Sequence, residues 1–203
     1  SRYDVRDRRP GWHGSQGGGT CQSGGMKVYT RRGDDGTTGL LYGGRVAKDA
    51  PAMRANGAVD EAQALIGMAR AQAEQGSELD AMLVGVERDL WVLMADVALN
   101  PEHRGRGKPG QTLVTAEMVT ALEQKIDEMS ARFDPPKDFA VPGENTVAAA
   151  LDVARTVVRR AEREALPAAA EGSQVLPYLN RLSDLLWTLA RWVEGESLLA
   201  KDA

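Results

Sequence analysis

From residue 53 to residue 193 the apolar side chains return every three or four positions, in five runs of about twenty residues, and no strand-period run competes with them. A period near 3.6 places one face of an α-helix in a core. The first run, 53–74, carries Ala55, Val59, Ala62, Ile66, Ala69 and Ala73. The second, 78–99, carries Leu79, Met82, Leu83, Val86, Leu90, Leu93, Met94 and Val97, and Asn100-Pro101 ends it. The third, 112–132, carries Met118, Leu122, Ile126 and Met129, with Phe133 beyond, before Pro135-Pro136. The fourth, 146–165, lies between Pro142-Gly143 and Pro167; the fifth, 174–193, has Pro177 in its first turn. Helices of this length are about 30 Å long, and short connections favour antiparallel neighbours. The expected fold is all-α, a five-helix bundle around one core.

Residues 1–25 are a different material, with Gly14, Gly17, Gly18, Gly19, Gly24 and Gly25 and almost no aliphatic side chain. Such a segment buries too little apolar surface to offset its ordering entropy. It has neither the apolar core of a signal peptide nor the acid-poor composition of a transit peptide. Met26 reads as a natural start, and 1–25 as a disordered tail or expression leader.

Composition narrows the function. The net charge of −4 argues against a general nucleic-acid binder, whose phosphate affinity comes from clustered Lys and Arg. No apolar run approaches the roughly 20 residues that span a bilayer. Cys21, the single cysteine, makes no internal disulfide, and one Cys with two scattered His makes no Cys/His metal centre. A cytoplasmic protein is expected.

Three segments hold residues that a bundle does not need. The first, 29–39, reads Tyr-Thr-Arg-Arg-Gly-Asp-Asp-Gly-Thr-Thr-Gly. Glycines allow a backbone to approach an anion closely, and Thr hydroxyls and Arg complete a phosphate cradle; Lys48 could add a further contact. The Gly-x4-Gly-Lys-Ser/Thr spacing of a Walker loop is absent. On composition alone a solvated surface loop is the stronger reading.

In the second segment, 154–163, Arg155, Arg159 and Glu162 fall within about 60° on a helix, with Arg163 on the flank. Four Arg in nine residues repel one another, so either an anion compensates them or they form a solvated face with local ion pairs. In the third, 178–186, Leu179, Leu182, Leu186, Leu189 and Val193 make a core stripe, while Asn180, Asp184 and Arg191 share an arc of about 40° on the other side. Asn in mid-helix is unfavourable by propensity, which points to a hydrogen-bonding duty.

Taken in order, these segments resemble the PduO-type ATP:cob(I)alamin adenosyltransferases. The resemblance rests on Thr30-Arg31-Arg32-Gly33-Asp34-Asp35-Gly36, Asp60-Glu61 in the first helix, Phe139-Ala140-Val141-Pro142-Gly143, Ala154-Arg155 through Arg159-Arg160-Ala161-Glu162-Arg163, and Leu179-Asn180-Arg181-Leu182-Ser183-Asp184. It covers 26–193, and overturns the preference for a bland loop. It divides the chain into the 1–25 tail and a domain over 26–203, with a phosphate-binding loop at 26–52 and helices over 53–193.

The resemblance implies a homotrimer with ATP and cobalamin meeting between subunits. Reduced cobalt attacks C5′ of ATP, forming adenosylcobalamin and releasing triphosphate. Since the cobalt is the nucleophile, no Ser, Cys or His is required, and the protein's task is alignment and electrostatic stabilisation. By the resemblance, Thr30, Arg31, Arg32, Gly33, Thr38, Gly39 and Lys48 cradle phosphate. Arg159, Arg160, Ala161, Glu162 and Arg163 face the triphosphate, with Glu162 also meeting Mg²⁺, and Asn180 holds the nucleotide. Arg159, Glu162, Arg163 and Phe139 form the catalytic set, with Phe139 against the lower face of the corrin ring. Asp60 and Arg155 pair across subunits. A reductase and a cobalamin-dependent client enzyme are the implied partners.

The chain departs from the family pattern at Glu144 and Asn145 after the Pro-Gly turn, at Asp152 where His is usual, and at Gln63 where Asn is common. These positions bear on the corrinoid more than on ATP. A non-catalytic protein that binds and delivers ATP or cobalamin is the alternative on the same fold.

Overall fold

The computed structural model describes residues 29–202, so the tail expected over 1–25 and Cys21 lie outside the described residues. The chain divides into two units, 1–31 and 32–203; in the first, only Tyr29–Arg31 is described. The second contains β1 (Thr37–Gly39), β2 (Arg45–Ala47), α1 (Pro51–Gln72), α2 (Glu78–Val97), a 3-10 helix (Pro101–Arg106), α3 (Ala116–Ser130), α4 (Thr146–Ala165) and α5 (Val175–Glu194).

The five long helices are those expected from the apolar period, and local chemistry sets their ends. Pro51 opens α1, where its missing N–H costs nothing. Ser77, Thr115 and Asn145 cap α2, α3 and α4, their side chains accepting from the amides of Asp80, Met118 and Ala148. Helix α3 starts at Ala116 rather than 112. Its upstream residues are held in turns, Thr112 Oγ1 accepting from the Lys108 amide at 2.8 Å and the buried Asp96 carboxylate from the Val114 amide at 2.9 Å.

Helix α1 packs on α2 and α4, and α5 on α4, α3 and, more lightly, α2. Helices α1 and α4, which pack on each other, are rich in buried alanine: Ala55, Ala58, Ala62 and Ala69 on α1, and Ala148, Ala154, Ala161 and Ala165 on α4. Small side chains at a contact let helix axes approach closely. Leucines and valines of α2, α4 and α5 complete one core.

Helix α5 overturns one expectation. Arg191 was placed opposite the core stripe, yet it is only 2% exposed. Leu185, Thr188 and Ala190 are buried with it, so α5 is central and covered on nearly every side. A central helix needs internal partners for its polar groups. Arg191 Nη2 donates to Asp152 Oδ2 at 2.7 Å, and its Nε lies 2.6 Å from Glu194 Oε2. The Tyr178 hydroxyl donates to Asp89 Oδ2 at 2.9 Å. Burial pushes the Asp89 carboxyl above the usual aspartate range, with the Tyr178 hydroxyl and Lys125 opposing, and raises the Tyr178 phenol.

The segment 26–52, expected as a loop, contains a hairpin of β1 and β2 among its described residues. Strands of three residues are too short to show a period in sequence. Among the described residues no helix is long and apolar enough to cross a membrane.

Candidate functional site

The hairpin organises the first cluster. Antiparallel pairing sets Thr37 opposite Ala47, Thr38 opposite Val46 and Gly39 opposite Arg45. The chain before β1 turns tightly, with the Gly36 amide donating to Gly33 O at 3.2 Å. Asp35 accepts from the amide of Thr37 at 2.9 Å and from its hydroxyl at 2.8 Å, which holds its carboxyl below the usual range. The Lys48 amide donates to Gly36 O at 2.9 Å. That bond brings Lys48, separated from the loop in sequence, back onto it. A Cβ at Gly33 would meet Lys48 Nζ at 3.0 Å and Thr37 O at 3.2 Å, so only glycine admits the ammonium so closely.

Thr37 and Thr38 point to opposite faces of the strand, and the Thr37 hydroxyl is already taken by Arg45 Nε at 2.9 Å. Arg45 Nη2 also donates to Arg32 O at 2.6 Å. Sequence reasoning missed Arg45. Its signal was weak, a lone Arg after Gly43-Gly44, and only strand register shows that it ties the loop to the hairpin. Thr30 and Arg31 belong to the first unit, where the Arg31 guanidinium lies 5.4 Å from the Tyr29 ring centroid.

The second cluster lies on the outer side of α4. Arg159, Arg160 and Arg163 are exposed while Val157, Val158 and Ala161 face the core. Ala161, counted among the binding residues on sequence, has its side chain buried in the core, so at its surface α4 presents the neighbouring Arg side chains instead. Arg160 reaches back to Glu61 on α1 in an ion pair. Arg163 Nη1 donates to Arg159 O at 3.0 Å, and Asn180 Nδ2 to Glu162 Oε1 at 3.2 Å. Asn180 Oδ1 accepts from Arg181 Nη1 at 2.6 Å. The mid-helix Asn thus bridges α5 to the Glu of α4, and Arg159 and Arg163 stand beside that bridge.

A third feature is an open cavity of about 550 Å³ lined by Phe139, Pro142, Asp152, Arg155, Trp187 and Arg191. Phe139 is 84% exposed, so it is not a loop residue folded back onto the core. Its segment is strapped by the C-terminal residues: the Val141 amide donates to Leu198 O and the Ala200 amide to Phe139 O, both at 2.8 Å. Asp152 pairs with buried Arg191 in the cavity wall and lies 3.8 Å from Arg155 Nε, which has no hydrogen-bond acceptor among the described residues. Asp60 is exposed on α1.

Residues 28–193 match the family model described as cobalamin adenosyltransferase. The chain is 38% identical over 175 residues to the corrinoid adenosyltransferase PduO of Salmonella typhimurium, covering 85% of this chain and 51% of that one. It therefore spans about half of that relative. It is 41% identical over 174 residues to a corrinoid adenosyltransferase of Mycobacterium tuberculosis, covering 81% of this chain and 87% of that protein. Its structure is similar, with TM-score 0.77 and 28% identity over 87% of this chain and 97% of the other, to a phenylalanine-to-histidine variant PduO-type ATP:corrinoid adenosyltransferase from Lactobacillus reuteri complexed with cobalamin and ATP. The helical order, the glycine-bearing hairpin and the Arg face of α4 come together in one assignment: the chain belongs to the cobalamin adenosyltransferase family.

Proposed function

We propose that this protein transfers the 5′-deoxyadenosyl group of ATP to reduced cobalamin, making adenosylcobalamin and releasing triphosphate. The observation that carries this reading is the outer face of α4, where Arg159 and Arg163 flank the Glu162–Asn180 bridge on a helix whose other face is core. A rigid helix with two exposed guanidiniums beside an oriented carboxylate suits a polyanionic leaving group. Arg donates to phosphate through a planar fork, and preset donors need no reorganisation as charge develops.

The substrate's cobalt is the nucleophile and C5′ of ATP the electrophile: a Co–C bond forms as the C–O bond to the triphosphate breaks. The protein's part is placement. Gly33, Lys48 and the backbone of the 32–39 segment hold one stretch of the phosphate chain, with Arg32 completing that cradle and Thr38 and Gly39 extending it. Arg159 and Arg163 hold the departing end, and Asn180 orients the nucleotide. Arg160, committed to Glu61, fixes α4 against α1.

Among the described residues no three His, Cys, Asp or Glu converge as a metal cage. Mg²⁺ needs only one or two carboxylates when phosphates supply other oxygens, so Glu162 fits a Mg²⁺ carried in on ATP, where it would neutralise triphosphate charge. Phe139, exposed at the mouth of its cavity, covers the lower face of the corrin and keeps water and an axial ligand from the cobalt.

The two phosphate-binding clusters stand on different elements, and a homotrimer with sites between subunits joins the hairpin of one copy to the α4 of the next. Arg155, only loosely held by Asp152, takes Asp60 of a neighbouring copy in that arrangement. The setting is the cytoplasm, with a reductase supplying the electron and a cobalamin-dependent enzyme receiving the product.

The deciding experiment mixes the protein anaerobically with Mg-ATP and chemically reduced cobalamin and follows the visible spectrum. Adenosylcobalamin with equimolar triphosphate is expected. ATP binding without Co–C bond formation would overturn the enzyme in favour of a delivery protein.

A further inference from the structure

Beyond the hairpin strands, the turn Leu40–Gly44 holds three successive residues at positive φ: Tyr42 at 68°, Gly43 at 101° and Gly44 at 83°. Glycines accept that region freely, but a bulky aromatic at φ above zero is a backbone outlier that persists only when its surroundings over-determine it. The surroundings here are the C-terminal end of α2 and the basic 3-10 helix that follows, residues to which the transfer chemistry gives no role. The Leu41 amide donates to Ala98 O at 2.8 Å, and the Asn100 amide donates to Leu41 O at 3.1 Å. Asn100 Nδ2 donates to Gly43 O at 3.0 Å. The Arg106 guanidinium sits 4.5 Å from the centroid of the Tyr42 ring, a cation–π contact on the strained residue itself.

Asn100 is the pivot. It is 8% exposed, and its two side-chain ends do different work: Nδ2 grips the turn, while Oδ1 accepts from the Glu102 amide at 2.9 Å and caps the 3-10 helix that carries Arg106. A Cβ at Gly44 would lie 2.9 Å from Asn100 Nδ2, so the turn is closed down onto this amide. Asp96, 4% exposed, anchors the same segment: it forms an ion pair with Arg104 Nη2 at 2.8 Å and accepts from the Val114 amide.

We infer that Asn100, with Arg106 stacked on Tyr42, is a positioning clamp for the phosphate loop. By gripping the turn it fixes the β1–β2 register, and through the Lys48–Gly36 bond that register sets where the Lys48 ammonium lies over Gly33. The clamp touches no substrate. It acts on ATP through the hairpin, and it rests on the proposal that this loop binds triphosphate.

Asn100→Asp isolates the clamp from the cap: the carboxylate still accepts from the Glu102 amide, but it cannot donate to Gly43 O and is repelled by it. The variant should keep wild-type helicity and bind Mg-ATP at least tenfold more weakly by calorimetry. In turnover the KM for ATP should rise by a similar factor, with kcat at saturating ATP and affinity for cobalamin within threefold of wild type. Arg106→Ala should move KM the same way by a smaller factor. In both variants, amide exchange in the free protein should speed up at Lys48 and Leu41, with no change at Val158 in α4.

An ATP affinity within twofold of wild type in Asn100→Asp would overturn the clamp. So would an equal loss of kcat and cobalamin affinity, which would mark general damage. If wild-type protein binds no Mg-ATP, the nucleotide reading fails and the clamp's role in binding fails with it. The exchange result separates that case, because it reports the mechanical link with no nucleotide present.

Discussion

The hairpin and the outer face of α4 offer two ways of presenting positive charge to an anion. On α4 the cations stand on a helix whose opposite side is core, so their positions follow from Val158 and Ala161 packing against α1 and α5. The hairpin has little core of its own. Glycines, one lysine and a strained turn bring its groups together, and the end of α2 holds it in place. Damage to the helical half should therefore appear either as lost stability or as a clean loss at one side chain. Damage to the hairpin should appear as weakened binding with stability preserved.

The largest expected effect tests the core beneath the helical half. Arg191→Leu leaves Asp152 and Glu194 buried without their shared cation. Breaking a buried pair from one side costs about 3–5 kcal/mol, so urea denaturation should show a midpoint lowered to match. A loss below about 1 kcal/mol would mean that this end of α5 is wetter than its 2% exposure indicates.

Next comes a single cation on the α4 face. Arg159 is exposed and contributes little to packing. Arg159→Ala should cut kcat/KM at least tenfold, in keeping with the roughly 1.5–3 kcal/mol of one charge-assisted hydrogen bond, with helicity unchanged. Near-normal turnover would remove Arg159 from the site.

A smaller effect is expected where the hairpin depends on close approach. Gly33 has no positive φ, so Gly33→Ala tests space alone; the added methyl meets the flexible end of Lys48 and the Thr37 carbonyl. Displacing the ammonium should weaken Mg-ATP binding about fivefold, roughly 1 kcal/mol, with no change in the denaturation midpoint. Unchanged affinity would show that Lys48 serves the loop's shape and not its ligand.

The smallest effect concerns pH and the helical half. Asp89 has a raised pKa in the native state, so the folded protein holds its proton more tightly than the unfolded chain does. Its contribution is greatest below the ordinary value of 3.8 and is lost as pH rises through the raised native value. Asp89→Asn keeps an acceptor for the Tyr178 hydroxyl and removes the titration. The variant's stability should decline less than wild type as pH rises from 3.8 through the carboxylate range, measured as denaturation midpoints. Parallel pH profiles would assign the slope to other groups.

The two halves were not equally legible in sequence. Helical spacing alone puts Arg159, Glu162, Arg163 and Asn180 on faces next to an apolar stripe, and the structure has them outside the buried stripes of α4 and α5. Arg45 and Asn100 were not found. They act through strand register and through a contact between residues 43 and 100, and no local period records either. Arg191 was misread for a related reason: helical arithmetic states which residues share an arc, but not whether another helix covers it.

By itself the sequence determined five helices, their stripes, most of their ends and the order of the motifs along them, because periodicity, capping and proline placement act within a few residues. Only the tertiary structure decided that α5 is central, that Ala161 is core, that Phe139 stands exposed over a cavity, and that the end of α2 grips the turn of the β1–β2 hairpin. Those outcomes depend on which surfaces meet, and contacts between distant segments leave no pattern in a single chain's local order.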